Sequence, residues 1–177
     1  MTTLTKTGLF LALAFTSLHA EVDMTKPLPQ IQLSGDKGGY YSGKDWNSDM
    51  LKGKTSMLMY VDPDEKNRGE IFKPTIENFE KDLDFNKFQI IVIINLKATW
   101  KPNALIKKMM KSKVDTYPKR RYILDTDSVL VKQWNLADDA YNTLIIDSTG
   151  KVIYQHEGDW SESEMHTLNS LVRKEVQ

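Results

Sequence analysis

The chain has 177 residues, 40% of them apolar and 27% charged, with nine glycines and six prolines, a profile of a folded domain that excludes a disordered or collagen-like polymer. It holds no cysteine, so disulfide bonds and thiol redox chemistry are both excluded, and a chain of this length, burying roughly 70% of its unfolded surface, needs neither disulfides nor a metal to fold. Twenty-four basic residues balance 24 acidic ones, which speaks against a dedicated nucleic-acid binder.

At the N-terminus, Lys6 precedes an apolar run over residues 8–15, and Leu18-His19-Ala20 ends on a small residue. This is the layout of an export signal and predicts cleavage before Glu21, leaving a soluble mature domain of residues 21–177. The run falls well short of the roughly 20 apolar residues of a membrane span, so no transmembrane segment is expected in the mature chain. No cysteine follows it to carry a lipid anchor. The compartment expected is the periplasm.

Short alternating pieces at residues 31–33 and 40–41, separated by a glycine-containing turn, read as an edge hairpin. Residues 57–61 and 88–94 are apolar runs, broken only by Gln89 in the second, the pattern of central strands covered on both faces. Between them Ile76, Phe79 and Leu83 recur at helical spacing, predicting a helix within residues 65–84 whose first turns Pro74 interrupts. A second helix is expected over residues 102–113, with Leu105, Ile106, Met109 and Met110 on its core face and lysines outside. A strand at 122–124, a short helix ending near Trp134 and a hairpin over 144–153 follow, the hairpin turning at Gly150. The last helix begins at Ser161, where Ser161-Glu162-Ser163-Glu164 fits a capping box and Met165, Leu168, Leu171 and Val172 form the buried stripe. Trp46, Trp134 and Trp160 read as core or rim anchors, and Trp100 as an exposed loop aromatic.

This order of elements resembles the thioredoxin fold: one α/β domain with a mixed central sheet flanked by helices. Finer motifs resemble the YtfJ-type family of exported, periplasmic thioredoxin-like proteins. The carrying residues are Trp46-Asn47-Ser48, Leu51, Gly53-Lys54, Glu65-Lys66-Asn67, Trp134-Asn135-Leu136 and the turn over residues 147–150. In redox thioredoxins a Cys-x-x-Cys sits where the first strand turns into the first helix. The resemblance puts those positions at Glu65 and Arg68 when counted from Gly53-Lys54, or at Lys66 and Gly69 when counted from Pro74. Neither register holds sulfur. The position of the thioredoxin cis-proline falls near Tyr141, where a cis bond without proline would cost roughly 3 kcal/mol. Glu65, Lys66, Asn67, Arg68, Gly69 and Tyr141 are therefore the candidate binding residues, with no catalytic residue assigned.

Other chemistries lack their residues. Gly53-Lys54-Thr55 precedes a strand where a phosphate loop must follow one, and Ser48 stands in place of its first glycine. His156 and His166 are ten residues apart, and the acids at Asp62, Asp64, Asp125 and Asp127 read as solvated turn and cap groups, so neither a metal nor another cofactor is expected. Charge is unevenly spread: residues 97–121 hold nine basic groups against Asp115, a net +8, while residues 62–84 hold eight acids against four bases. Lys101, Lys107, Lys108 and Lys111 then form a candidate patch for an anionic partner, with a solvated helix face or pairing to the acidic segment as alternatives. The function expected is a non-redox binding or accessory protein of the bacterial cell envelope, holding an envelope protein or an anionic ligand and no nucleic acid. The alternative is an enzyme with a non-thiol site at residues 62–68, which requires a concave pocket and a strongly shifted acid or lysine.

Overall fold

The computed structural model describes residues 21–177; the expected export signal at residues 1–20 lies outside them. The expected edge hairpin is corrected to three short strands, β1 (Gln32–Leu33), β2 (Gly38–Tyr40) and β3 (Trp46–Asn47). β1 pairs with β3, setting buried Leu33 opposite buried Trp46, while β2 runs off to the edge of the main sheet. Glycine makes that edge possible: Gly38 has φ of 117°, and a Cβ there would lie 1.9 Å from the Leu124 carbonyl oxygen. Backbone approach, not a two-strand turn, decides the pairing.

The two apolar runs become neighbouring parallel strands, β4 (Thr55–Val61) and, beyond α1 (Lys73–Asp82), β5 (Phe88–Asn95). α1 begins later than expected. Residues Lys66–Gly69 form a separate 3-10 turn, and Pro74 occupies the first turn of α1, where its missing N–H leaves no hydrogen bond unmade. Ile76 and Phe79 are the buried face of α1.

α2 (Asn103–Thr116) and β6 (Arg120–Asp125) continue the order, then α3 (Val129–Trp134), β7 (Tyr141–Ile146), β8 (Val152–Glu157) and α4 (Glu162–Glu175). The main sheet runs β2-β6-β5-β4-β7-β8, with β4, β5 and β6 parallel and the other pairings antiparallel. The capping box at α4 is present: the Ser161 hydroxyl accepts from the Glu164 N–H, and the Ser161 N–H donates to the Glu164 carboxylate at 2.8 Å. Leu168 and Val172 are buried, with Met165 and Leu171 packed beside them.

Two of the acids expected in solvent are not there. Asp125 is fully buried, and it organises the β6–α3 junction. Its carboxylate accepts from the backbone N–H groups of Asp127 (3.2 Å), Val129 (2.9 Å) and Leu130 (3.0 Å) and from the Tyr60 hydroxyl (3.1 Å). Burial, and then the Asp125 charge, push the Tyr60 hydroxyl up, so it stays a donor. Asp62 is 4% exposed and accepts from the Asp64 N–H at 2.7 Å.

The sheet has a helix layer on each face. On one, α3 and the N-terminal segment cover Leu58, Tyr60, Ile91 and Ile93 through Trp46 and Trp134. On the other, α1 and α4 cover Met57, Met59 and Ile90, and α2 covers Tyr122 and Leu124. Between those two groups the cover is incomplete. Val92 and Ile94, on the central strand β5, are only partly buried, which corrects the expectation of full cover on both faces. The cause lies in α2, where Ile106 and Met110 are buried but Leu105 and Met109 are 45% and 46% exposed. Those two were expected in the core. The helix buries one residue per turn, too thin a stripe to fill the space above β5.

Candidate functional site

The incomplete cover leaves a cavity of about 440 Å³ between α1 and α2. Its floor is apolar, from Met59 and Val61 on β4, Val92 and Ile94 on β5, and Tyr122 on β6. Ile76 from α1 and Ile106, Met109 and Met110 from α2 form its walls. Its rim is charged: Lys66, Lys73, Lys101, Lys113 and Arg120 against Asp64 and Glu70. A volume in the range of small-ligand pockets, with an apolar interior and few convergent polar groups, is what a ligand site requires.

The rim charges differ in how far they are compensated. Arg120 is nearly buried and donates to Glu80 through Nε (2.7 Å) and a terminal nitrogen (3.1 Å), its guanidinium lying 3.8 Å from the Tyr117 ring centre. Burial works against that charge, but the Glu80 carboxylate outweighs it and keeps Arg120 firmly protonated. Lys101 pairs with Asp64, which also accepts from the Thr99 hydroxyl at 2.8 Å. Lys113 reaches Glu70 at only 4.0 Å, with both side chains more than half exposed. Lys73 is held charged first by Tyr117 and then by Glu77 at 3.8 Å. Among the described residues no carboxylate lies within 4.0 Å of the Lys66 ammonium, so Lys66 is the uncompensated cation of the rim.

Three of these contacts cross from the β4–α1 side to α2 and its flanks: Asp64 with Lys101, Glu70 with Lys113, and Glu77 accepting from the Tyr117 hydroxyl at 3.5 Å. Exposed pairs of this kind contribute about 0.2–1 kcal/mol each and hold the cleft only loosely, beside the stronger tie of Arg120 on β6 to Glu80 on α1. The lining tyrosines have their hydroxyls engaged elsewhere. Tyr141 donates to the Met59 sulfur at 3.1 Å and Tyr122 to the Lys113 carbonyl at 3.3 Å. Burial pushes both phenols up, Tyr122 to about 12, so both remain neutral donors.

The sequence-derived candidates divide around this cavity. Lys66, Gly69 and Tyr141 meet at its β4–α1 end and line it. Every peptide bond of the described residues is trans, including the one before Tyr141. Glu65 and Arg68 do not line it; they pair with each other, and Arg68 extends toward Asp159 at 3.8 Å. Asn67 is exposed beside the rim. Of the patch lysines only Lys101 lines the cavity, whereas Lys107, Lys108 and Lys111 are exposed along α2, Lys111 pairing with Asp115. Trp100, 86% exposed, sits in the loop before α2 as expected.

Asp62 lies just behind the rim and its carboxyl is raised to about 6, first by burial, then by Asp139, Glu65 and Asp138, against the opposing pull of Lys101. No group of His, Asp or Glu able to hold a metal ion occurs among the described residues. His156 and His166 fall on β8 and α4. No helix of the described residues is long and apolar enough to cross a membrane. The floor residues Val92 and Ile94 and the wall residues Ile76 and Ile106 read as core from sequence; the signal that marks them is the mismatch between five consecutive apolar positions on β5, residues 90–94, and the one-per-turn stripe of α2.

The fold is shared with known thioredoxins. The exposed lipoprotein thioredoxin Etrx1 of Streptococcus pneumoniae strain TIGR4 superposes with a TM-score of 0.60 over 81% of this chain and 99% of that one, at 15% identity. A thiol-disulfide isomerase from Corynebacterium glutamicum gives 0.60 over 84% and 96%, at 14% identity. By sequence, the protein YtfJ of Escherichia coli (strain K12) is 22% identical over 137 residues, 76% of this chain and 73% of that protein. An uncharacterized protein of Haemophilus influenzae (strain Rd) is 26% identical over 159 residues, 85% of each. The family described as "Bacterial protein of unknown function (YtfJ_HI0045)" matches residues 24–175. With nearly the whole described chain inside that match, this chain belongs to the YtfJ_HI0045 family, on a thioredoxin-like fold that carries no cysteine.

Proposed function

We propose that this chain is a non-redox, thioredoxin-like binding protein of the bacterial cell envelope, working in the periplasm once residues 1–20 are removed, with the cavity between α1 and α2 as its ligand site. The observation that carries this reading is the position of the cavity. Lys66, Gly69 and Tyr141, where the resemblance puts the active site of redox thioredoxins, line an apolar hollow of about 440 Å³ in a chain without sulfur nucleophiles. A photo-crosslinking residue at Asn67 in the native envelope should capture one partner or ligand, while the same residue at Gln133, an exposed position on α3, should not. Met109→Trp, which fills the mouth, should abolish the Asn67 product. Equal capture from both positions, or capture unaffected by Met109→Trp, overturns the reading.

One observation favours the enzyme alternative: the Asp62 carboxyl, raised to about 6, is in the range useful to a general base. Asp62 is not among the cavity-lining residues, and one of its oxygens is occupied by the Asp64 N–H. The geometry supports binding better.

A further inference from the structure

We infer that the ligand of this cavity is a single-chain amphipathic anion, an unbranched apolar tail ending in a carboxylate. The inference rests on the binding reading above and specifies its ligand class. Three features of the lining select that chemistry.

The interior offers apolar contact and almost no hydrogen bonding. Ile76, Val92, Ile94, Ile106 and Met110 surround the space, and the hydroxyls of Tyr117, Tyr122 and Tyr141 are already directed to Glu77, the Lys113 carbonyl and the Met59 sulfur. A sugar, nucleotide or other polyhydroxy ligand would leave its polar groups unpaired inside. An unbranched chain leaves none.

The strands beneath are closed to a peptide. β4, β5 and β6 are each hydrogen-bonded on both sides, so an extended peptide lying over them has no strand edge to join. This separates the cavity from any site that recognises main chain.

The rim selects the sign of the head. At the rim Lys73, Arg120 and Lys101 are paired with Glu77, Glu80 and Asp64, whereas Lys66 has no carboxylate within 4.0 Å and Lys113 is held only at 4.0 Å by a half-exposed Glu70. A ligand carboxylate at the mouth gains Lys66 outright and replaces Glu70 at Lys113, so entry exchanges one exposed ion pair for another while the tail leaves water. A cationic head meets the reverse arrangement and is repelled. The half-exposed Met109 at the mouth supplies an unbranched, adaptable apolar surface where the tail must pass.

The test is calorimetric titration of the purified protein at low salt with dodecanoate, butanoate and dodecyltrimethylammonium, each below its micelle concentration. Dodecanoate should bind saturably at one per chain, and the other two at least tenfold more weakly, one lacking the tail and the other the charge. Ile94→Trp should weaken dodecanoate at least tenfold by filling the cavity, and Met109→Trp provides the same block at a half-exposed position should the strand variant not fold. Lys66→Glu plus Lys113→Glu should weaken dodecanoate at least tenfold and favour the cationic probe. Dodecanoate binding that survives Met109→Trp, or that matches dodecyltrimethylammonium, overturns the inference. So does absence of dodecanoate binding: if the Asn67 crosslink still forms and is lost in Met109→Trp, the binding reading stands with a different ligand, and if that crosslink is absent too, both fail.

Discussion

A Cβ placed on Gly69 would lie 2.5 Å from Cε2 of the Tyr141 ring, whose hydroxyl is tied to the Met59 sulfur. The 3-10 turn before α1 therefore rests directly on the start of β7, and the absence of a side chain at residue 69 sets how close they come. Gly69→Ala should destabilise the protein by about 1–3 kcal/mol through overpacking. In a Tyr141→Leu background the same substitution should cost much less, giving a coupling of at least about 0.5 kcal/mol in a double-mutant cycle by urea denaturation. Additive effects would mean that the ring moves aside freely.

Burial, and then the neighbouring acids, push the Asp62 carboxyl up on folding, from the ordinary carboxylate value near 4 to about 6. Between those values the folded state binds more protons, so stability declines as pH rises through about 4 to 6 and stays lower above it. Asp62→Asn keeps an oxygen acceptor for the Asp64 N–H and removes the buried charge. It should stabilise the protein at pH 7 by up to about 3 kcal/mol, with the gain vanishing below pH 4. Thermal melts across that range check it, and a gain independent of pH would contradict the titration.

Four donors converge on buried Asp125, three backbone N–H groups and the Tyr60 hydroxyl. Asp125→Ala leaves them unpaired and should cost at least about 3 kcal/mol, with α3 losing its start. Tyr60→Phe removes one donor and should cost about 1 kcal/mol. Denaturant unfolding of both variants gives the comparison.

The basic stretch divides into paired and free groups, and stability measurements separate them. Glu80→Ala leaves the nearly buried Arg120 without its carboxylate and should cost about 3 kcal/mol. Lys107→Glu plus Lys108→Glu alters exposed groups that face no acid in the fold, and should change stability by under about 0.5 kcal/mol. Comparable losses in both would mean that the outer face of α2 is also paired within the domain.

The central strands β4 and β5, the β7–β8 hairpin and α4 were legible because their signals are local: the apolar runs at β4 and β5, the Asp147–Gly150 turn and the Ser161 capping box each act within a few residues. Asp62 and Asp125 were misread because a carboxylate followed by turn residues has the same local pattern whether its acceptors face water or a buried helix start. The β1–β2 pairing failed for a similar reason, since it depends on Gly38 approaching Leu124, some 86 residues away in the chain. Half of the candidate site was legible. Lys66, Gly69 and Tyr141 follow from counting along a known order of elements, whereas Val92 and Ile94 become cavity floor only because α2 fails to cover them.

Strand β5 contains its own control for the central claim, since Val92 and Ile94 face the cavity while Ile91 and Ile93 face α3. Methyl-labelled protein titrated with dodecanoate and followed by NMR reads both faces at once. Occupation of the cavity predicts shifts in the methyl signals of Val92, Ile94, Ile106 and Met110, with those of Ile91 and Ile93 unmoved. Unchanged signals at Val92 and Ile94 under dodecanoate saturation, or larger shifts at Ile91 and Ile93, would contradict the cavity as the binding site.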